Sequence, residues 1–214
     1  KVRYLILILT MLSLNIFSNG HSIYNQNFPG VVIILTDDGI GSGAIITESG
    51  FVLTNAHVVG GNKEVEILIF GGETFEESSH RARVLKVDST KDLALVKIIK
   101  PKFQFEVIEI SIVMPKVGEE AHAIGHPDSE LWTYTKGYIS QLRPDYQWEY
   151  INGEKMHATV IQIQTPINPG NSGGPLLNKH GNLIGINAFA NLDKQLMNFA
   201  ISVEEIIKFL GGRN

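Results

Sequence analysis

Three residues that together make a nucleophile stand in the chain in the order His57, Asp92 and Ser172. Ser172 lies in Gly170-Asn171-Ser172-Gly173-Gly174-Pro175, between the apolar, strand-like stretches Val160 to Gln164 and Leu183 to Ala190. Glycines let the backbone turn tightly and aim several N–H groups at one point. A serine attacking a carbonyl needs such a setting, because its hydroxyl must be exposed and N–H donors must meet the oxyanion that forms. Ser172 is therefore the candidate nucleophile. The backbone N–H groups of Gly170, Asn171 and Ser172 are the candidate oxyanion donors. A plain Gly/Ser/Asn/Pro turn without chemistry is the alternative reading of this stretch alone.

His57 stands in Leu53-Thr54-Asn55-Ala56-His57-Val58-Val59, where an apolar strand runs into small residues. Histidine, with an ordinary pKa of about 6.5, is the natural general base near neutral pH. A hydrogen-bonded structural histidine is the bland alternative. Asp92 stands in Lys91-Asp92-Leu93-Ala94-Leu95-Val96-Lys97-Ile98, where a turn enters a strand. An aspartate there can accept the Nδ1 proton of a histidine and fix its tautomer; it can equally cap the turn.

The elements that must position these residues are mostly strands. Val31 to Leu35, 41–47, Phe51 to Thr54, Glu64 to Phe70, Arg81 to Val87 and Leu93 to Ile98 are apolar runs separated by turns, a pattern of barrels and sandwiches. His21 to Pro29 is polar and aromatic with no clear period. Ser202 reads as a helix N-cap and Glu205 as the second half of a capping box. Val203, Ile206, Ile207 and Leu210 make the stripe of a short closing helix that Gly211-Gly212 ends.

The chain has 214 residues, 43% apolar and 19% charged, with 21 glycines and a formal net charge of −4. That is the composition of one globular domain, and the charge gives no support for nucleic-acid binding. It contains no cysteine, so no disulfide supports the fold. Lys1 and Arg3, the apolar run Tyr4 to Leu14 and Ser18-Asn19-Gly20 form the pattern of a secretory signal over residues 1–20. The run is shorter than the ~18 apolar residues of a membrane span; a retained anchor is the minority reading. His122 and His126 lack a third ligand at a recognisable spacing, and no metal or other cofactor is expected.

The order His-Asp-Ser is that of the two-barrel serine proteases. The motifs TNAHVV, KDLALVKI and PINPGNSGGPL resemble the HtrA/Deg branch of the trypsin-like proteases, over about Val31 to Leu210. The resemblance implies an all-β fold of two antiparallel six-stranded barrels, about 21–112 and 113–202, closed by a helix over 203–210. It implies an exported, periplasmic or secreted endopeptidase acting on unfolded polypeptides. It also implies a substrate-binding wall at Pro166, Ile167, Ala188, Phe189 and Ala190, none of them charged, which suits small or medium apolar residues. Gln141 to His157, with Tyr146, Trp148 and Tyr150, corresponds to a regulatory loop or to an inert hairpin tip. Asn171 stands where digestive enzymes carry an aspartate, so control by zymogen cleavage is not expected. Tyr24 and Phe28 are candidates for a homotrimer contact. The alternatives are a latent or non-catalytic protein of the same fold, chaperone-like in action, and a secreted exfoliative or glutamyl-type protease.

Overall fold

The computed structural model describes residues 20–37, 39–72, 74–101, 103–150, 153, 155–190 and 197–212. The expected signal segment lies outside the described residues, except Gly20. The first strands are β1 (Val31–Thr36), β2 (Gly39–Ile45) and β3 (Phe51–Thr54). Their near-continuous apolar composition follows from burial on both faces. Val32, Ile34, Ile45 and Val52 enter one core, while Val31, Ala44 and Leu53 enter another. Alternation sends neighbours to opposite faces, and here both faces are dry.

With β4 (Glu64–Leu68), β5 (Ser79–Asp88) and β6 (Leu93–Ile98), these strands close a barrel in the order β1-β2-β3-β6-β5-β4. The strands of the second barrel are β7 (Glu120–Gly125), β8 (Thr133–Glu149), β9 (Lys155–Ile163), β10 (Pro175–Leu177), β11 (Leu183–Ala190) and β12 (Asn198–Ser202). They repeat that pattern as β10-β11-β12-β9-β8-β7. All paired strands in both barrels are antiparallel. The all-β, two-barrel architecture expected from the sequence is the one observed.

The core that receives Val31, Ala44 and Leu53 also holds Ile124, Val160 and Ile186 of the second barrel, so it is the seam between the two. The chain crosses that seam at residues 108–111. Ile108 donates its N–H to Ile45 O at 2.8 Å, and Ser111 donates to Leu183 O at 2.9 Å. The site described below lies along this seam.

Among the described residues four α-helices complete the fold: α1 (Gly20–Asn27), α2 (Ala56–Val59), α3 (Phe75–Ser78) and α4 (Val203–Phe209). Among the described residues no helix is long and apolar enough to cross a membrane. Ser202 caps α4, its side chain accepting from Glu204 N. Glu205 does not complete a capping box. It is buried, and its Oε1 instead accepts from Thr159 N at 3.0 Å while Oε2 lies 3.6 Å from Lys91 Nζ. The closing helix is thereby tied to the turn that carries Asp92.

Most of the described residues within Gln141 to His157 are strand and not loop. Residues 141–149 extend β8 and 155–157 begin β9, with Trp148 opposite Met156 and Gln147 opposite His157. An irregularity between Arg143 and Tyr146 absorbs Pro144, so the ladder continues past a residue that cannot donate to it.

Candidate active site

His57 occupies α2, the single turn that follows β3. Asp92 precedes β6, which pairs with β3 in register, Thr54 opposite Ala94. The pairing brings the two side chains together. Asp92 Oδ1 and Oδ2 lie 3.0 and 2.9 Å from His57 Nδ1, and Oδ1 also accepts the His57 backbone N–H at 3.0 Å. The carboxylate is fully buried, whereas the imidazole retains 28% of its exposure. One face of the ring is therefore fixed and the other is available.

Asp92 has φ 55°, a left-handed conformation that aspartate tolerates better than most residues. Its own carbonyl accepts from buried Asn55 Nδ2 at 2.9 Å. The Asp88 side chain caps the same turn at Lys91 N, 3.0 Å.

The Ser172 turn belongs to the second barrel but is held by the first. Ser42 of β2 donates its N–H to Ser172 O at 2.8 Å and its Oγ to Gly170 O at 2.7 Å. Thr54 Oγ1, at the end of the strand leading to His57, donates to Ser42 O at 2.7 Å. Thr54, Ser42 and the Gly170–Ser172 turn thus form one connected set, running from the strand before His57 to Ser172.

Two glycines are required by close approach. A Cβ on Gly173, whose φ is +85°, would lie 2.1 Å from Ser42 O and 2.2 Å from Thr54 Oγ1. A Cβ on Gly170, φ +98°, would lie 2.2 Å from His126 O. Gly173 N donates to Asn187 O at 2.8 Å and Asp128 N to Pro169 O at 3.1 Å, which fix the turn from both ends.

Asn171 N–H donates to Asn168 O at 3.0 Å. Of the three expected oxyanion donors, Asn171 is thus the one whose N–H is engaged within the turn. The Asn171 side chain is buried instead against Gly125, where a Cβ would meet its Oδ1 at 2.4 Å. Ser172 Oγ donates to Ala188 O at 3.0 Å, so in this conformation the hydroxyl is turned to β11 and not to His57.

The expected substrate wall is dispersed in character. Ala188 is buried and presents its carbonyl to Ser172, and Ile167 is buried in the core of the second barrel. Pro166 is exposed and its carbonyl accepts from Thr135 Oγ1 at 3.0 Å. Phe189 stacks between Trp148 and Phe199, with centroids 4.8 Å from each. Ala190 ends β11 opposite Asn198.

His122 and His126 serve as packed polar groups. His122 Nδ1 lies 2.7 Å from Tyr134 Oη, and His126 Nδ1 accepts from Trp132 N at 3.0 Å. Burial pushes the His126 imidazole down to about 4. Tyr24 and Phe28 stack on each other at 5.0 Å. They belong to an aromatic group with Phe70 and Trp132, Phe28 to Phe70 being 4.6 Å and Phe70 to Trp132 5.2 Å.

Sequence reasoning did not find Ser42, Thr54 or Asn55 as parts of the site. Ser42 lies in Gly-Ser-Gly between two apolar runs, which reads as an ordinary strand with small residues. Tyr150 reads in the sequence only as part of a loop or hairpin tip; Tyr146, Trp148 and Tyr150 at every second position are the signal of an extended strand.

A trypsin-like peptidase domain model matches residues 41–186. The putative serine protease HhoA of Synechocystis is 39% identical over 168 residues, covering 78% of this chain and 41% of that protein. The serine protease Do-like HtrA of Lactococcus lactis is 34% identical over 151 residues, covering 68% of this chain and 36% of that protein. The chain thus spans well under half the length of these relatives. The crystal structure of the serine endoprotease from Yersinia pestis superimposes with a TM-score of 0.72 at 27% identity, over 90% of this chain and 65% of that one. The matched region runs from the β2 glycines through the Ser172 turn into β11, and the chain belongs to the trypsin-like peptidase domain family, with HtrA- and Do-like serine proteases among its relatives.

Proposed function

We propose that this chain is an exported serine endopeptidase that cuts unfolded or damaged polypeptides with His57, Asp92 and Ser172. The observation that carries the reading is the grip of buried Asp92 on both Nδ1 and the backbone N–H of His57. That grip leaves Nε2 as the free base. Ser172 rotates from Ala188 O to donate to His57 Nε2 and attacks the scissile carbonyl as the imidazole takes its proton. Asp92 stabilises the imidazolium. The Gly170 and Ser172 N–H groups receive the oxyanion. His57 then protonates the leaving amine, and water hydrolyses the acyl-enzyme by the reverse roles.

Pro166, Ile167, Ala188 and Ala190 carry no charge, which supports a preference for cleavage after small or medium apolar residues. The Ala188–Ala190 edge pairs with the substrate backbone as an added strand. Residues 21–112 and 113–202 are the two halves that form the cleft. Export rests on the pattern of residues 1–20, and a homotrimer on Tyr24 and Phe28.

A latent state of the same enzyme is the second reading, favoured by the Ser172 hydroxyl resting on Ala188 O. Digestion of an unfolded polypeptide by the purified chain, beside Ser172→Ala, tests the proposal. Fragments formed by the wild type and absent with Ser172→Ala are expected. Equal digestion by both would exclude Ser172 as the nucleophile.

A further inference from the structure

Asp92 has a third donor besides the two on His57. Tyr150 Oη donates to Asp92 Oδ2 at 2.8 Å. The same oxygen lies 3.2 Å from His57 Nδ1. Because Nδ1 carries the proton that faces the carboxylate, the phenol proton goes to Oδ2. The rings of Tyr150 and His57 are 5.1 Å apart and inclined by 54°.

Tyr150 follows β8 in the second barrel, whereas His57 and Asp92 both belong to the first. Its reach across the seam is braced at each step. Tyr146 stacks on Phe199 at 4.9 Å, Trp148 stacks on Phe189 at 4.8 Å, and Tyr150 meets Phe189 edge-on at 6.5 Å. The period of two puts these rings on one face of an extended chain. On the returning strand, His157 N donates to Thr90 O at 2.9 Å, in the turn that leads to Asp92.

An ionised carboxylate offers about four acceptor sites, and a buried one is costly unless they are filled. Hydrogen bonds to a charged acceptor are about twice as strong as neutral ones and hold their partner in a narrow geometry. We infer that Tyr150 is a positioning residue of the triad: its hydroxyl fixes the Asp92 carboxylate, and through it the tautomer and orientation of His57. This role rests on the proteolytic reading above. It gives the paired β8–β9 strands a defined task at the site, carried out by one phenolic hydroxyl.

Tyr150→Phe removes that hydroxyl and keeps the ring. Two quantities decide. One is steady-state hydrolysis of a fluorogenic peptide. The other is the low-field proton resonance of His57 Nδ1–H, read also in the Ser172→Ala background, where no turnover is needed. The expected result is a fall in kcat of about 10-fold, the size of one hydrogen bond to a charged group, with KM within about twofold. The resonance is expected to move in both backgrounds while the thermal midpoint stays near that of the wild type. A kcat within about twofold of the wild type, or above it, overturns the inference, as does an unmoved resonance. If the wild type does not turn over, the proteolytic reading fails on its own, and the resonance still decides whether Tyr150 holds Asp92.

Discussion

Ser42 Oγ donates to the Gly170 carbonyl at 2.7 Å, joining a strand of the first barrel to the Ser172 turn in the second. The bond fixes the Gly170 end of the turn whose N–H groups are the proposed oxyanion donors. Ser42→Ala leaves Gly170 O without this partner, and a lost hydrogen bond of this kind costs about 1 kcal/mol of stability. The expected kinetic effect is larger, because a loosened oxyanion donor acts in the transition state. We predict a fall in kcat of about 10-fold with little change in KM, measured on a fluorogenic peptide. An unchanged kcat would show that the turn holds its shape without Ser42.

Gly173→Ala should be far more severe. The new methyl would meet Ser42 O and Thr54 Oγ1 at little more than 2 Å, in a conformation with φ +85°. A side chain at such a φ costs roughly 1–2 kcal/mol before any clash is counted. The prediction is a lower urea midpoint and a loss of activity of at least about 100-fold. Gly61→Ala is the control, since a Cβ there has nothing within 4 Å.

His126 makes stability depend on pH. Its folded-state imidazole is pushed down to about 4 by burial, against the ordinary histidine value of 6.5. Between those values the unfolded chain binds a proton that the folded chain does not. Stability therefore falls as pH drops through 6.5 and levels off only below about 4. The contribution lost between pH 7 and pH 5 is about 2 kcal/mol. Urea unfolding of the wild type and His126→Gln at both pH values measures it. The variant should show a pH dependence smaller by about that amount.

Substrate preference follows from the uncharged wall at Pro166, Ile167, Ala188 and Ala190. A panel of peptides differing only in the residue before the cleaved bond should show turnover highest for Val, Ala or Ile. One methylene in an apolar pocket discriminates by about 10–200-fold, so the ranking should be graded. Preference for Arg or Glu would contradict the assignment of these residues.

Much of this site was legible in the sequence. His57 and Asp92 flank apolar strands whose antiparallel pairing brings them together, and both ends of that pairing are visible as patterns. The Ser172 turn was legible because its glycines are demanded by contacts within 3 Å of backbone. Other parts were hidden for physical reasons. Ser42 works through its position in a closed barrel, which no local pattern records. Glu205 looked like a capping partner, but tertiary contact with Thr159 and Lys91 took its carboxylate elsewhere. The family resemblance assigns Gln141–His157 to a regulatory loop or a hairpin tip. A strand carries residues 141–149 instead, and an irregularity in the ladder between Arg143 and Tyr146 lets it pass Pro144 and carry Tyr146, Trp148 and Tyr150 toward the first barrel. The bond from Asn171 N–H to Asn168 O is a turn contact that no local pattern records.

The most direct measurement is the intact mass of the purified chain after exposure to a fluorophosphonate, beside Ser172→Ala and His57→Ala. Such a reagent reacts when nucleophile, base and oxyanion donors are assembled together. A single adduct is expected on the wild type, none on Ser172→Ala and far slower labelling of His57→Ala. An adduct that persists in Ser172→Ala, or a folded wild type that takes up no label, would contradict the assignment of Ser172 as nucleophile.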